Sequence, residues 1–203
     1  AGYADNNFAL ARVDLDGNLD TTFSGDGKVT SDFGGTDRAR AVLLQGDGKL
    51  VLAGTVDIGG NTDFGLVRYT DAGVPDTTFD GDGKVITDFA GSADNATGIV
   101  TGPGGTIIVS GYTYTSMNGN NLALARYTST GALDPTFSGD GRVTVDYAGM
   151  SEYGRALIRS GDQMVVVGDL FTAAGSDIAV ARFNQDGSLD PGLNGEGWVF
   201  INL

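Results

Sequence analysis

The residues best equipped for chemistry in this chain are oxygen donors and guanidinium groups. The run Asp14-Leu15-Asp16-Gly17-Asn18-Leu19-Asp20 places side-chain oxygens at its first, third and seventh positions, which is how a calcium loop begins. Calcium takes about six to eight oxygen ligands, so a glycine-bearing turn that adds backbone carbonyls to Asp14, Asp16 and Asp20 is a candidate site. The later copies of this run do not reproduce it. The places of Asp14 and Asp16 are taken by Thr70 and Ala72, then Thr128 and Thr130, then Asn184 and Asp186.

Three acidic columns recur along the chain. They are Asp20, Asp76, Asp134 and Asp190; Asp26, Asp82, Asp140 and Glu196; and Asp32, Asp88, Asp146 and Asn202. Such carboxylates can hold calcium, or they can accept hydrogen bonds from amides two or three residues on and so organise a turn. The turn role is the favoured reading. Glycoside hydrolysis needs one pair of carboxylates, ~5 Å or ~7 to 9 Å apart across a sugar. An active site normally occurs once, whereas these carboxylates occur in every unit, so the chain reads as non-enzymatic.

Four arginines, Arg12, Arg68, Arg126 and Arg182, stand on an otherwise apolar strand face. A guanidinium in that setting needs a carboxylate or carbonyls, and each unit offers an aspartate at constant spacing, such as Asp76, Asp134 or Asp190. An ion pair within each repeat, with a structural role, is therefore preferred over an anion-binding surface. What the repeats do not copy is the stretch after each second strand, around Tyr112, Tyr114 and Asn118 and again around Phe171. Aromatic rings beside amides suit a sugar ring or a protein surface, and they equally suit the covering of a hairpin end.

Composition narrows the chemistry further. The chain has no cysteine and no histidine. Ser-His-Asp and Cys-His catalysis and ordinary zinc or copper sites are thereby excluded, and any bound metal should be a hard cation held by oxygen, calcium first. Twelve basic against 26 acidic residues give a net charge of -14. Phosphate backbones would be repelled, so nucleic acid is not an expected partner. No apolar run is long enough for a membrane span, so no insertion is expected.

The elements that must position these residues follow from the repetition. Successive arginines lie 56, 58 and 56 residues apart, and the aspartates from Asp20 to Asp190 keep the same steps. A period in that range marks a supersecondary unit that buries its apolar face by stacking on its neighbours. The 34 glycines, spread through turn positions, punctuate many short strands. Within the unit 41–89 the pattern predicts four strands: a hairpin across Gly46-Asp47-Gly48, a third strand over 63–70 and a fourth over 84–89. The N-terminal stretch supplies only the last two, over 7–14 and 28–33. The fold class is therefore all-β, an array of four-stranded antiparallel blades, propeller-like, with three full blades and a half blade. The unit boundaries fall at 1–38, 39–94, 95–152 and 153–203. Fourteen strands are too few for a usual closed ring, which suggests a piece of a longer protein, self-association that completes the ring, or an open edge.

The phrase that repeats is aromatic-x-Leu-Ala-Arg-Tyr, then Gly-x-Leu-Asp-x-x-Phe, then Gly-Lys-Val-x-x-Asp-Phe, completed by the segment from Ala39 to Gly54. Over essentially the whole chain this resembles the bacterial Delta-60 repeat family. The resemblance implies a building block of large exported proteins, secreted or displayed on the bacterial surface, without shared catalytic residues. A scaffold or interaction domain, with a protein or glycan surface as partner and calcium as its candidate cofactor, is the expected function; a lectin-like module using the stretches around Tyr112, Tyr114 and Phe171 is the alternative. Departures gather at the end, where Leu193 replaces the turn phenylalanine and Trp198 the basic residue.

Overall fold

The computed structural model describes residues 1–89, 91–117, 119–172 and 175–202. Four antiparallel sheets follow one another along the chain. The first contains β1 (Gly2–Ala4), β2 (Asn7–Ala11) and β3 (Lys28–Ser31). The second is β4 (Arg38–Leu44), β5 (Leu50–Ile58), β6 (Asn61–Tyr69) and β7 (Lys84–Thr87). The third is β8 (Asp94–Thr101), β9 (Ile107–Thr115), β10 (Gly119–Tyr127) and β11 (Arg142–Val145). The fourth is β12 (Ser151–Ser160), β13 (Gln163–Thr172), β14 (Gly175–Phe183) and β15 (Trp198–Ile201). Each four-stranded sheet is a meander, in which every strand pairs with its sequence neighbours. The blade reading of the fold is correct.

Two details differ from expectation. The first sheet has three strands, because Gly2, Tyr3 and Ala4 pair with Ala9, Phe8 and Asn7 around a two-residue turn. That turn is Asp5-Asn6, with φ of 51° and 67°, and short polar side chains tolerate the left-handed values that a tight hairpin requires. The second difference concerns the non-repeated stretches, expected as loops. They are the ends of long hairpins: Tyr112 and Tyr114 lie on β9, and Phe171 lies on β13. Threonine, valine and tyrosine favour extension, so pairing continues to Ile58↔Asn61, where Gly59 and Gly60 make the turn.

Three apolar cores lie between successive sheets. Phe8, Phe23, Leu52 and Tyr69 fill the first; Phe64, Phe79, Ala123 and Tyr127 the second; and Leu124, Phe137, Val166 and Phe183 the third. Burial follows position in the stack. From its third residue onward every position of β6 and β10 is buried, whereas β2 and β14 alternate between more and less buried residues. Inner sheets are covered on both faces and outer sheets on one. Small residues at Ala123 and Ala125 keep the spacing close, both fully buried.

Each core also carries one polar detail that tracks the repeat. Tyr69 shares a 2.6 Å hydrogen bond with Ser31 of the preceding sheet, and the Tyr127 hydroxyl donates to Thr87 at 2.8 Å. In the next copy the tyrosine becomes Phe183 and the hydroxyl partner becomes Val145, both packed in the same core. Donor and acceptor disappear together, so no buried polar group is stranded.

Candidate functional site

Arg68, Arg126 and Arg182 sit on the third strands β6, β10 and β14 and Arg12 one residue past β2; Arg12, Arg68 and Arg126 serve as clasps. Arg68 donates from Nε to Asp76 at 2.7 Å, from Nη2 to Thr78 at 3.0 Å and from Nη1 to the Ser129 carbonyl at 2.6 Å. Its guanidinium also lies 4.5 Å from the centre of the Phe79 ring. Ser129 belongs to the next blade, so one side chain ties two sheets. Arg12 and Arg126 repeat the arrangement, reaching the carbonyls of Asp71 and Gln185. Their ion pairs with Asp20 and Asp134 are both 2.8 Å long. Arg182 stands 2.7 Å from Asp190. A second link runs beside each clasp, from the amides of Ser24, Asp80 and Ser138 to the carbonyls of Ala72, Thr130 and Asp186, each 2.8 Å.

The Arg68 pair is the most enclosed, with side chains 4% and 6% exposed, against 33% and 27% for Arg12 and Asp20. Burial would raise the Asp76 carboxyl. The hydroxyl and amide of Thr78, together with Lys49 and Arg68, outweigh it and hold the group well below the usual carboxylate range. Lys49 Nζ is 3.0 Å from Asp76. The same side of the clasp opens on a cleft of about 470 Å³ lined by Gln45, Lys49, Arg68 and Ser129.

The three acidic columns organise turns. Asp14 accepts from the amides of Asp16 and Asn18 at 3.0 and 2.9 Å. Asp20 accepts from the Thr22 amide and hydroxyl and from Arg12. In the second column Asp26, Asp82 and Asp140 accept from the amides of Lys28, Lys84 and Arg142. In the third, Asp32, Asp88 and Asp146 accept from Gly34, Gly91 and Gly149. Among the described residues, the acidic side chains that converge closely enough to share an ion are Asp63, Asp88 and Asp94, with one oxygen from each within 4.8 Å of the others. Asp14, Asp16 and Asp20 do not form such a group.

Tyr112 and Phe171 are brought near each other through a residue that the sequence reading passed over. Tyr153, on β12, packs edge-on against Tyr112 at 4.7 Å and against Phe171 at 5.3 Å. Arg155 lies over the Tyr153 ring at 4.9 Å and forms a 2.7 Å ion pair with Asp169. The Tyr153 hydroxyl accepts from Asn120 at 2.6 Å. Phe171 and Tyr114 are about half exposed. Tyr114 is two residues along β9 from Tyr112, opposite Asn120. Asn118 lies outside the described residues.

A fourth acidic column also escaped notice: Asp37, Asp94 and Glu152, all fully or almost fully buried. The loop from Phe33 is one residue shorter than those from Phe89 and Tyr147, so the step from Asp37 to Asp94 departs from that of the turns. Asp37 has both oxygens engaged, by the amides of Phe33 and Asp57. Asp94 Oδ2 accepts from Phe89 at 2.7 Å, whereas Oδ1 has no hydrogen bond. Neither oxygen of Glu152 has one. Burial pushes Glu152 up to about 8 and the charge of Asp146 adds to it, while the nearby backbone of Tyr147 pulls the other way.

A family model described as a domain of unknown function (DUF5122) beta-propeller matches residues 1–23, 45–79, 103–137 and 162–193. The chain belongs to this family. Among curated proteins no match is found. Every arginine clasp of this DUF5122 β-propeller chain, with its aspartate, lies inside a matched segment. The first strands β4, β8 and β12 lie between them, and with them Asp94, Glu152, Tyr153 and Arg155. The family pattern thus covers the arginine clasps between blades. No helix among the described residues is long and apolar enough to cross a membrane.

The raised Glu152 has a consequence with a definite sign. A carboxyl whose folded pKa exceeds its unfolded value of 4.5 binds its proton more tightly when folded, so stability falls as pH rises from about 5 towards 8. Asp94, pushed up to about 6 by burial against the pull of Thr113 and the Phe89 amide, adds to the lower part of that range. The depressed Asp76 acts oppositely, its stabilisation being lost on acidification below the carboxylate range. Thermal unfolding at pH 5 and pH 8 should show a lower midpoint at pH 8, and Glu152→Gln should flatten that difference. An unchanged difference would mean that Glu152 does not titrate from a buried state.

Proposed function

We propose that this DUF5122 β-propeller chain is a non-enzymatic scaffold and interaction domain of a Delta-60 repeat protein, exported or displayed on a bacterial surface and stiffened by calcium. One observation carries the reading: the repeated polar groups are engaged within the array, the arginines with aspartates and with carbonyls of the next blade, the carboxylates with the amides of their own turns. Chemistry that recurs in every unit and is consumed in packing leaves the surface features that do not recur as the place for recognition. Export rests on the family resemblance carried by the Leu-Ala-Arg-Tyr and Gly-Lys-Val phrases. The net charge of -14 favours partners that are not polyanions, a protein or glycan surface, and the outer sheets leave room for a second copy to complete the ring.

A lectin-like module is the second reading, favoured by the ladder Tyr112, Tyr153 and Phe171 with its exposed end and its adjacent arginine. Aromatic rings offer an apolar surface to a sugar ring, with polar groups beside it for the hydroxyls. A glycan array separates the two. The scaffold reading expects no glycan to be retained through these rings; selective retention that is lost in Tyr112→Ala and Phe171→Ala would replace it with the lectin reading. Light scattering on the same preparation reports on ring completion, a doubled mass supporting a closed pair of copies.

A further inference from the structure

The second and third sheets meet at a cluster that the repeat produces only once with full charge. Asp63 comes from the start of β6, Asp88 from the segment after β7 and Asp94 from the start of β8. One carboxylate oxygen from each lies within 4.8 Å of the other two. Asp63 and Asp94 are buried, at 6% and 0% exposure. In the first unit the same positions hold Asn7, Asp32 and Asp37, and in the third Asn121, Asp146 and Glu152. An amide therefore stands in both neighbouring copies where the middle copy has a third carboxylate.

Asp88 is exposed, but the other two are buried, and carboxylates this close repel one another unless a positive charge or a proton compensates. Arg142 pairs with Asp140 at 3.0 Å and donates Nη1 to the backbone carbonyl of Asp88 at 2.7 Å. Asp63 accepts from Asn61 at 3.2 Å, and Asp88 from Gly91 at 2.6 Å. Asp94 is different, because its Oδ1 is enclosed and accepts no hydrogen bond. Across the strand pair, in register with Asp94, the Thr113 hydroxyl is likewise buried without a hydrogen bond. A hydrogen bond from the Thr113 hydroxyl to Asp94, which would pull that carboxyl down, satisfies one oxygen and still leaves three carboxylates converging. The arrangement supplies oxygen alone, from three separate chain segments, which is the donor set of a hard divalent cation.

We propose that Asp63, Asp88 and Asp94 form a calcium site that joins the second blade to the third, with the Thr113 hydroxyl, backbone carbonyls and water completing the shell. This deepens the calcium part of the functional reading and is independent of its scaffold part, since neither glycan binding nor its absence bears on it. It also moves the expected ion away from Asp14, Asp16 and Asp20. Like-charge repulsion within the cluster raises the Asp63 carboxyl beyond the effect of burial, and an ion would reverse that.

The test is thermal unfolding of the whole chain, freed of metal with chelator and then titrated with calcium chloride, with calorimetry in parallel. At free calcium about a hundredfold above the dissociation constant, a site confined to the folded state should raise the midpoint by roughly 5–10 °C. Asp94→Asn and Asp63→Asn should each abolish most of that rise. Without calcium these variants should melt at or above the wild-type midpoint, because one repelling charge is gone; a purely structural carboxylate would instead lower it. Asp14→Asn should leave the calcium response unchanged. No heat and no shift at millimolar calcium would overturn the proposal. So would a response that survives in both Asp94→Asn and Asp63→Asn, or one that is lost in Asp14→Asn.

Discussion

Arg68→Ala is expected to lower stability by about 3 to 5 kcal/mol, the range found when one partner of a buried ion pair is removed. Four contacts are lost together: the Asp76 pair, the Thr78 bond, the bond to Ser129 of the next blade and the stacking on Phe79. Asp76 is left 5% exposed, with Lys49 as its remaining cation. For a chain of this length each kcal/mol moves the melting midpoint by roughly 2–4 °C, so a fall of about 10 °C should be visible in a simple melt. Arg12→Ala removes a similar set of bonds from a clasp that is about one-third exposed, where water screens and replaces them. Its effect should be clearly smaller. Equal effects at the two positions would mean that burial is not what gives the clasp its strength.

Gly111→Ala is the second large effect. A methyl group there would lie 1.9 Å from the Asn95 carbonyl and 2.8 Å from the Phe64 ring of the preceding blade. The same contact recurs at Gly54 with Arg38 and at Gly168 with Tyr153, at 2.0 and 1.8 Å. Each glycine faces the point where the pairing of the first two strands shifts register, between Ala39 and Ala41, Ala96 and Gly98, and Gly154 and Ala156. The bulge presses one strand's backbone against the next, and only a residue without a side chain fits. Since the obstacle is backbone and cannot rotate away, about 3 kcal/mol of destabilisation is expected on urea unfolding, at the upper end for overpacking. Gly46→Ala, with no neighbour within 4 Å, is the matched control and should be nearly neutral. A Gly111→Ala variant as stable as that control would contradict the close packing of the strands.

Repetition made the blades legible, because Phe, Arg, Asp and Gly recur at steps that a packed sheet must keep. It also pointed to what the arginines meet, since a guanidinium on an apolar strand has few ways to be satisfied. The hairpin ends were less legible. Their residues vary between copies, and variation reads as loop even where threonine and tyrosine extend a strand. Tyr153 and the buried acids Asp94 and Glu152 were hidden for a different reason. They open the first strand of each blade beyond the repeated phrase; the loop before Asp37 is one residue shorter than those before Asp94 and Glu152, and the third copy holds glutamate, so the column is not a uniform aspartate at a fixed step. The strand Gly2–Ala4 was marked by Asp5-Asn6, a turn pair that three flanking residues on one side made easy to overlook.

The claim that repeated polar chemistry holds the blades together is tested most directly by urea unfolding of Arg68→Lys beside Arg68→Ala. Lysine keeps the charge but has no fork to reach Asp76, Thr78 and the Ser129 carbonyl at once. Arg68→Lys should recover less than half of the stability lost in Arg68→Ala. Recovery to the wild-type value would contradict the claim, because a single charge would then suffice and the guanidinium would not be a clasp between blades.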